Sequence, residues 1–287
     1  MIPIPGRSFP VAAALVAALA LAPARAHEFW IEPIGPAPAV GGTLEAHLHT
    51  GQYLSAAASS WDPKRFETLV AIDAEGEREL SGTRGERPAV RVAARSPGPL
   101  ILAGETRPQS VRYPRLEKFQ RFVEFEGAPE IAERHVEAGL PTRNIVELYT
   151  RYAKALVRVG GASAPDRAVG LELELVALDD PFAAAADGPP LGFELRLDGE
   201  PLADVQVALF HREGPNPGEG AGADGPPEGV TRTLARTDAE GRVAFAPPGA
   251  GTSLVSAVLI RRPDARTMLS SGATWESLWA SLAFALD

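Results

Sequence analysis

The sequence predicts a mainly β protein built from two β-sandwich domains with a helical insertion between them. Short stretches of alternating apolar and polar residues recur along most of the chain, separated by turns rich in Gly and Pro. A helical period replaces this alternation only between about residues 113 and 160. The chain has no cysteine, so stability must come from core burial, which 287 residues allow.

The first 26 residues have the features of a cleaved export signal. Arg7 supplies a positive charge, Val11–Ala22 is apolar, and Ala24 and Ala26 form a small-x-small cleavage site. The apolar run is shorter than the ~20 residues that a membrane-spanning helix needs. We therefore expect a periplasmic protein with no membrane span after cleavage and with His27 as its first residue.

The charge balance argues against nucleic acid as a partner. The full chain carries 37 acidic and 28 basic residues, a net charge of −9. Cleavage would remove Arg7 and Arg25 but no acidic residue, which takes the net charge to −11. A nucleic-acid partner requires the opposite sign. With no cysteine and two methionines, thiolate and Met-rich copper(I) sites are also absent from the sequence.

Residues 27–112 are expected to form the first sandwich, which is Ig-like in its short, evenly spaced strands. In Thr43–Thr50 the apolar residues alternate with Glu45, His47 and His49, so the two histidines should share one strand face. Further strands are predicted at Leu69–Asp73, Ala89–Val92 and Pro97–Ala103.

Residues 113–160 are expected to be helical. A first helix begins near Leu116 and ends at Gly127, and a second runs from Pro129 to about Gly139. A third is predicted at Asn144–Val159, where apolar residues follow helical spacing.

Residues 165–287 are expected to form the second sandwich, after a Gly- and Ser-containing linker. Residues 213–229 are rich in Gly and Pro and predict a long hairpin loop. Trp275–Phe284 is predicted to be a strand that closes one edge, with Trp275 and Trp279 packed.

Two resemblances add to this prediction. Gly199–Val207, Thr237–Phe245 and Pro248-Gly249 resemble the turns and strands of a transthyretin-like or carboxypeptidase-regulatory-like β-sandwich, which implies a fold rather than a function. The chain as a whole resembles the DUF4198 family at Ala26–Pro33, Tyr152–Val157 and Trp275–Phe284. That resemblance implies a periplasmic component of a nickel or cobalt uptake system.

His27, His47 and His49 are the candidate metal ligands. Cleavage after Ala26 would let His27 chelate an ion through its α-amine and its imidazole, both of which lose protons near neutral pH. His47 and His49 could supply further imidazoles, with Glu28, Glu32 and Glu45 as nearby carboxylates. The competing interpretation is that His27 is an arbitrary residue left by signal cleavage, and that His47 and His49 lie on a solvated strand face without binding a metal. The remaining histidines are expected at the surface (His135) and in a structural role (His211).

These features favour a binding or carrier protein for a divalent transition metal, nickel, cobalt or copper, which passes the ion to a membrane uptake complex. The alternative is a structural or protein–protein interaction module of the cell envelope that needs no metal. A copper monooxygenase that acts on polysaccharide is the least favoured interpretation. No hydrolase, zinc-protease or phosphate-loop motif occurs, so we expect no enzyme and no catalytic residue.

Overall fold

The computed structural model describes residues 27–185, 187–218 and 225–286. The predicted signal peptide, residues 1–26, lies outside the described residues. In the described part of the chain, no helix combines the length and the hydropathy that a membrane crossing requires. Most of the elements are strands, which confirms the mainly β fold.

Seventeen strands and three α-helices follow one another along the described chain. The elements before residue 160 are β1 (Glu28–Ile34), β2 (Thr43–Gly51), β3 (Ala58–Ser59), β4 (Phe66–Asp73), β5 (Gly76–Glu79), β6 (Val90–Ala93), β7 (Gly98–Thr106), β8 (Gln109–Tyr113), α1 (Leu116–Phe125), α2 (Glu130–Glu137) and β9 (Ile145–Val159). Those after it are β10 (Leu173–Ala177), a 3₁₀ turn (Pro181–Ala183), β11 (Leu191–Leu197), β12 (Glu200–Pro201), β13 (Gln206–Arg212), β14 (Val230–Arg236), β15 (Arg242–Phe245), β16 (Gly251–Arg261), α3 (Ala265–Ser271) and β17 (Trp275–Leu286).

The described strands form three sheets. The N-terminal sheet contains β1, β2, β3 and β6, and the C-terminal sheet contains β10, β11, β12 and β15. The central sheet has the order β14-β13-β16-β17-β9-β7-β4-β5, with β8 also paired to β9. Its neighbouring strands are antiparallel except for β17 and β9, which run parallel.

The two outer sheets cover opposite faces of the central sheet. Along β9, Ala153 and Ala155 belong to the apolar core shared with the N-terminal sheet. Tyr152 and Leu156 belong to the core shared with the C-terminal sheet. Because successive side chains of a strand point to opposite faces, this division places the central sheet as the middle of three layers.

The predicted helix at Asn144–Val159 is wrong, because this segment is the strand β9. β9 is fifteen residues long, and from Thr150 to Val157 every residue is buried. A strand covered on both faces loses the apolar–polar alternation that would identify it in sequence. Its apolar residues therefore also satisfied a helical spacing.

The strand predicted at the C-terminal end is present as β17, but its predicted edge position is wrong. β17 pairs with β16 on one side and with β9 on the other, so it lies inside the central sheet. Its position explains why its side chains from Ser277 to Phe284 are all buried. Trp275 and Trp279 are packed as predicted, in a third apolar cluster with Phe119 and Val123 of α1 and Ile131 of α2.

α1 and α2 confirm the first two predicted helices and cover one end of the central sheet. The predicted sandwich architecture is confirmed, and the two outer sheets lie in the two predicted domains, residues 27–112 and 165–287. The central sheet, however, takes strands from both domains and takes β9 from the predicted insertion, residues 113–160. The two sandwiches therefore share their middle layer.

Candidate functional site

The pairing of β1 with β2 brings four polar or aromatic side chains to one face of the N-terminal sheet. The antiparallel register places Trp30 opposite His49 and Glu32 opposite His47. Directly opposed residues of an antiparallel pair point to the same side. His47 and His49 therefore share a face as predicted, while Leu44, Ala46 and Leu48 are buried on the other.

The buried imidazole of His49 uses only one of its two ring nitrogens in a hydrogen bond. Its side chain is buried, and its Nδ1 lies 3.1 Å from the carbonyl oxygen of Ala56. A carbonyl oxygen only accepts, so Nδ1 carries the hydrogen and Nε2 presents its lone pair. Burial lowers the pKa of His49 and so favours this neutral form. Nε2 lies 3.5 Å from Oε2 of Glu32 and has no hydrogen-bond partner among the described residues.

Aromatic contacts fix the orientation of the His49 ring. The ring stacks on Trp30 with 4.9 Å between centroids and an interplanar angle of 17°. The His47 ring meets it edge-on at 5.8 Å and 86°. His47 is half-buried, and its Nδ1 also has no hydrogen-bond partner within the described ranges. Two adjacent imidazoles thus each keep a buried ring nitrogen that makes no hydrogen bond.

Glu32 is charge-balanced by an arginine from the other half of the chain. Its Oε1 accepts a 2.6 Å hydrogen bond from Nη2 of Arg212, and its Oε2 accepts a 2.9 Å bond from Nε1 of Trp30. Arg212 is itself buried on β13 and also donates to the carbonyl oxygen of Leu54 at 2.7 Å. We call Trp30, Glu32, His47, His49 and Arg212 the histidine cluster.

Arg212 was not predicted from the sequence as a site residue; it is 180 residues away from Glu32 in the chain. One signal was available. Ala208 and Phe210 of β13 face the N-terminal sheet, and Arg212 continues the same alternation. A charged residue at an inward position of a strand implies a buried partner, although the sequence does not say which.

His27 lies immediately before β1, and its carbonyl oxygen accepts a 2.9 Å hydrogen bond from Nε of Arg151. The β1–β2 register places it three residues before Trp30, which is opposite His49. Three strand residues correspond to about 10 Å along the sheet. The structure therefore brings His47 and His49 together and places His27 about 10 Å away from Trp30, just before β1. The three-histidine metal site stays a prediction.

Among the residues that the structure describes, no group of three or more His, Cys, Asp or Glu side chains is arranged to hold a metal ion. The residues that fit a transition metal are the two imidazoles, because neutral imidazole nitrogen is a ligand that nickel, cobalt and copper accept. Of the carboxylates named from the sequence, Glu45 is paired with Arg91 at 2.8 Å and Glu28 is buried.

His135 is not at the surface, so that expectation was wrong. It is fully buried on the inner face of α2. Its Nε2 donates to the carbonyl oxygen of Pro141 and its Nδ1 accepts from Nε1 of Trp275, both at 3.0 Å. The charged neighbours of His135 suggested exposure, but α2 turns this residue toward Trp275 of β17. His211 is half-buried on β13, with Nδ1 3.0 Å from Oγ of Ser253.

One family model matches this chain, over residues 24–261, and its description is "Domain of unknown function (DUF4198)". No curated protein matches the chain. The family description assigns no activity, so the nickel or cobalt function and the transthyretin-like C-terminal segment stay predictions. The matched residues make up well over half of the sequence, and the chain therefore belongs to the DUF4198 family.

Proposed function

We propose that this protein is a periplasmic binding or carrier protein for a divalent transition-metal ion, nickel, cobalt or copper, which it passes to a membrane uptake complex. The observation that carries the proposal is the pair of adjacent imidazoles in the histidine cluster. His47 and His49 each keep a buried ring nitrogen without a hydrogen bond in the described structure. Buried polar atoms normally have partners, so two such nitrogens on rings whose centroids are 5.8 Å apart need an explanation.

A metal ion supplies that explanation better than a proton does. Burial lowers the pKa of His49 and works against a second proton on its ring. Nickel, cobalt and copper bind the neutral form of imidazole, which is the form that the hydrogen bond to Ala56 selects. His49 is thus in the protonation state that a transition metal requires of an imidazole ligand.

Glu32 stands where a carboxylate can support this binding. Its Oε2 is 3.5 Å from Nε2 of His49, close enough to orient the imidazole and to balance the charge of a bound ion without serving as a third ligand. The Arg212 guanidinium and the Trp30 indole fix the carboxylate in place through hydrogen bonds. Such supporting contacts orient ligands and raise metal affinity.

Calorimetric titration of the exported, processed protein with Ni²⁺, Co²⁺ and Cu²⁺ tests the proposal. We expect one site, which His47→Ala weakens at least about tenfold, equivalent to about 1.4 kcal/mol. His211→Ala is the matched control, because His211 is also half-buried with an unpartnered Nε2 in the described structure. Equal metal affinities of the wild type and His47→Ala would show that the histidine cluster does not bind the metal ion.

A second pair of variants tests the N-terminal histidine separately. If His27 supplies its α-amine and ring, His27→Ala and an added glycine before His27 should each weaken binding. If both variants bind as the wild type does, His27 is not a ligand, and only His47 and His49 remain. Mass spectrometry of the exported protein must show His27 as the first residue for the α-amine to take part.

A further inference from the structure

A second candidate site lies in a cleft of about 460 Å³ at the end of β2, bordered by the loop after β3 and by β8 and β9. Lys64, Arg65 and Arg151 line it, together with the single carboxylate of Asp62. The chain as a whole carries a net charge of −9, so a cleft with three cations departs from its surroundings. We propose that this cleft binds a small molecule that carries a carboxylate or phosphate group.

The carboxylate in the lining is already engaged elsewhere. Oδ1 of Asp62 accepts a hydrogen bond from Nη2 of Arg84 at 2.9 Å and one from the backbone N–H of Lys64 at 3.2 Å. Arg84 does not line the cleft, so it neutralises Asp62 from outside. Asp62 acts on Arg65 through space, but less strongly than Arg151 does, so most of the positive charge of the two arginines remains available to a ligand.

Arg65 and Arg151 repel each other across the cleft. The pKa of Arg65 is lowered to about 10, first by burial and then by the charge of Arg151. In the described structure neither guanidinium has a carboxylate within the 4.0 Å of an ion pair, although Glu147 and Glu28 act on Arg151 from further away. Two partly desolvated cations that line the same cleft are stabilised by an anion bound there.

Both guanidiniums are held in fixed orientations, which suits recognition of a planar or tetrahedral anion. Arg65 lies over the Phe29 ring at 4.4 Å and donates from Nη2 to Oγ1 of Thr50 at 2.6 Å. Arg151, only 4 % exposed, lies over the Tyr149 ring at 4.3 Å. Preoriented guanidinium groups bind carboxylate and phosphate through paired hydrogen bonds.

The Thr50 hydroxyl adds a donor of matching chemistry. Since its oxygen accepts from Arg65, its hydrogen is directed elsewhere, and Thr50 itself lines the cleft. Neither His47 nor His49 is among the lining residues. The anion site therefore shares no side chain with the histidine cluster, although Arg151 also donates to the carbonyl oxygen of His27.

Titration of the metal-free, full processed chain with inorganic phosphate and with succinate tests this proposal at constant ionic strength. We expect saturable binding of at least one probe, weakened at least about tenfold by Arg65→Gln through loss of a charge-assisted contact. Lys64 is exposed, so Lys64→Gln leaves the packing intact and should weaken binding about threefold. Which probe binds separates a phosphate from a carboxylate ligand.

Arg91→Gln is the matched control, because Arg91 is an exposed arginine of the N-terminal sheet that does not line the cleft. It should bind both probes as the wild type does. The proposal is overturned if neither probe shows saturable binding. It is also overturned if Arg65→Gln and Lys64→Gln both bind like Arg91→Gln, which would show that the affinity comes from general surface charge.

Discussion

Two buried ionic groups connect the central sheet to its outer layers, and they differ in how completely their polar atoms are used. On the C-terminal side, Lys154 of β9 lies between Asp166 and Glu174, with Nζ 2.9 Å from each carboxylate and 3.0 Å from the carbonyl oxygen of Arg167. We call these three charged residues the lysine cluster. On the N-terminal side, the histidine cluster connects β1 and β2 to Arg212 of β13.

The lysine cluster has no spare hydrogen-bonding capacity. The three N–H donors of the Lys154 ammonium group match three acceptor oxygens around it. Glu174 also accepts from the backbone N–H groups of Val169, Gly170 and Leu171. In the histidine cluster, by contrast, Nε2 of His49 and Nδ1 of His47 make no hydrogen bond in the described structure. This is the difference that we expect between a group that serves stability and one that binds a metal ion, as proposed for the histidine cluster.

The largest expected effect comes from breaking the complete group. Lys154→Met removes the cation between two buried carboxylates and should lower the free energy of unfolding by about 3–5 kcal/mol, because an uncompensated charge remains buried. Denaturant unfolding at pH 7 measures the loss. If the two clusters have different roles, any folded Lys154→Met protein should keep its metal affinity. A loss below about 1 kcal/mol would contradict the structural role.

A further buried acid tests whether hydrogen bonds alone are enough to keep a buried carboxyl group ionised. Glu147 accepts from the hydroxyl groups of Tyr113 and Ser277, yet burial raises its pKa to about 7 against the pull of Arg151. Between pH 4.5 and about 7 the native state therefore holds a proton that the unfolded state has lost. Native stability should fall as pH rises through this window.

Glu147→Gln removes that pH dependence. The wild type should lose about 3 kcal/mol of its free energy of unfolding between about pH 4.5 and 8 through this group, since one pKa unit corresponds to about 1.4 kcal/mol, and Glu147→Gln should not show that loss. Denaturant unfolding at a series of pH values measures the change. Parallel pH profiles of the two proteins would show that Glu147 is ionised in the native state at neutral pH.

The smallest expected effect comes from the incomplete group. Glu32→Gln keeps the shape of the side chain but takes the negative charge from Arg212, which should cost about 2 kcal/mol of stability. Unlike Lys154→Met, it should also weaken Ni²⁺ binding, because the carboxylate that faces His49 is gone. Unfolding and metal titration on the same sample test both statements. Unchanged metal affinity would reduce the histidine cluster to a structural group like its counterpart.

The sequence was informative wherever one face of a strand meets solvent or a turn interrupts the chain. The alternation of Leu44, Ala46 and Leu48 with His47 and His49 predicted both the β2 strand and the shared face of the histidines. The apolar–polar alternation did not identify β9, because a strand covered by two layers shows no alternation. It also failed for His135, whose burial depends on contact with Trp275, a residue 140 positions later in the chain. Long-range pairing, as between Glu32 and Arg212, leaves little trace in local pattern.

The parallel pairing of β17 with β9 has a consequence for folding. β17 is inserted between β16 and β9, yet the family match ends at Arg261, before β17 begins. A polypeptide cut at that boundary would leave two long strands with unsatisfied backbone groups along their open sides, a template for aggregation. Assembly of the middle layer must therefore wait until residues 275–286 are available, because β17 supplies the backbone pairing for both β16 and β9.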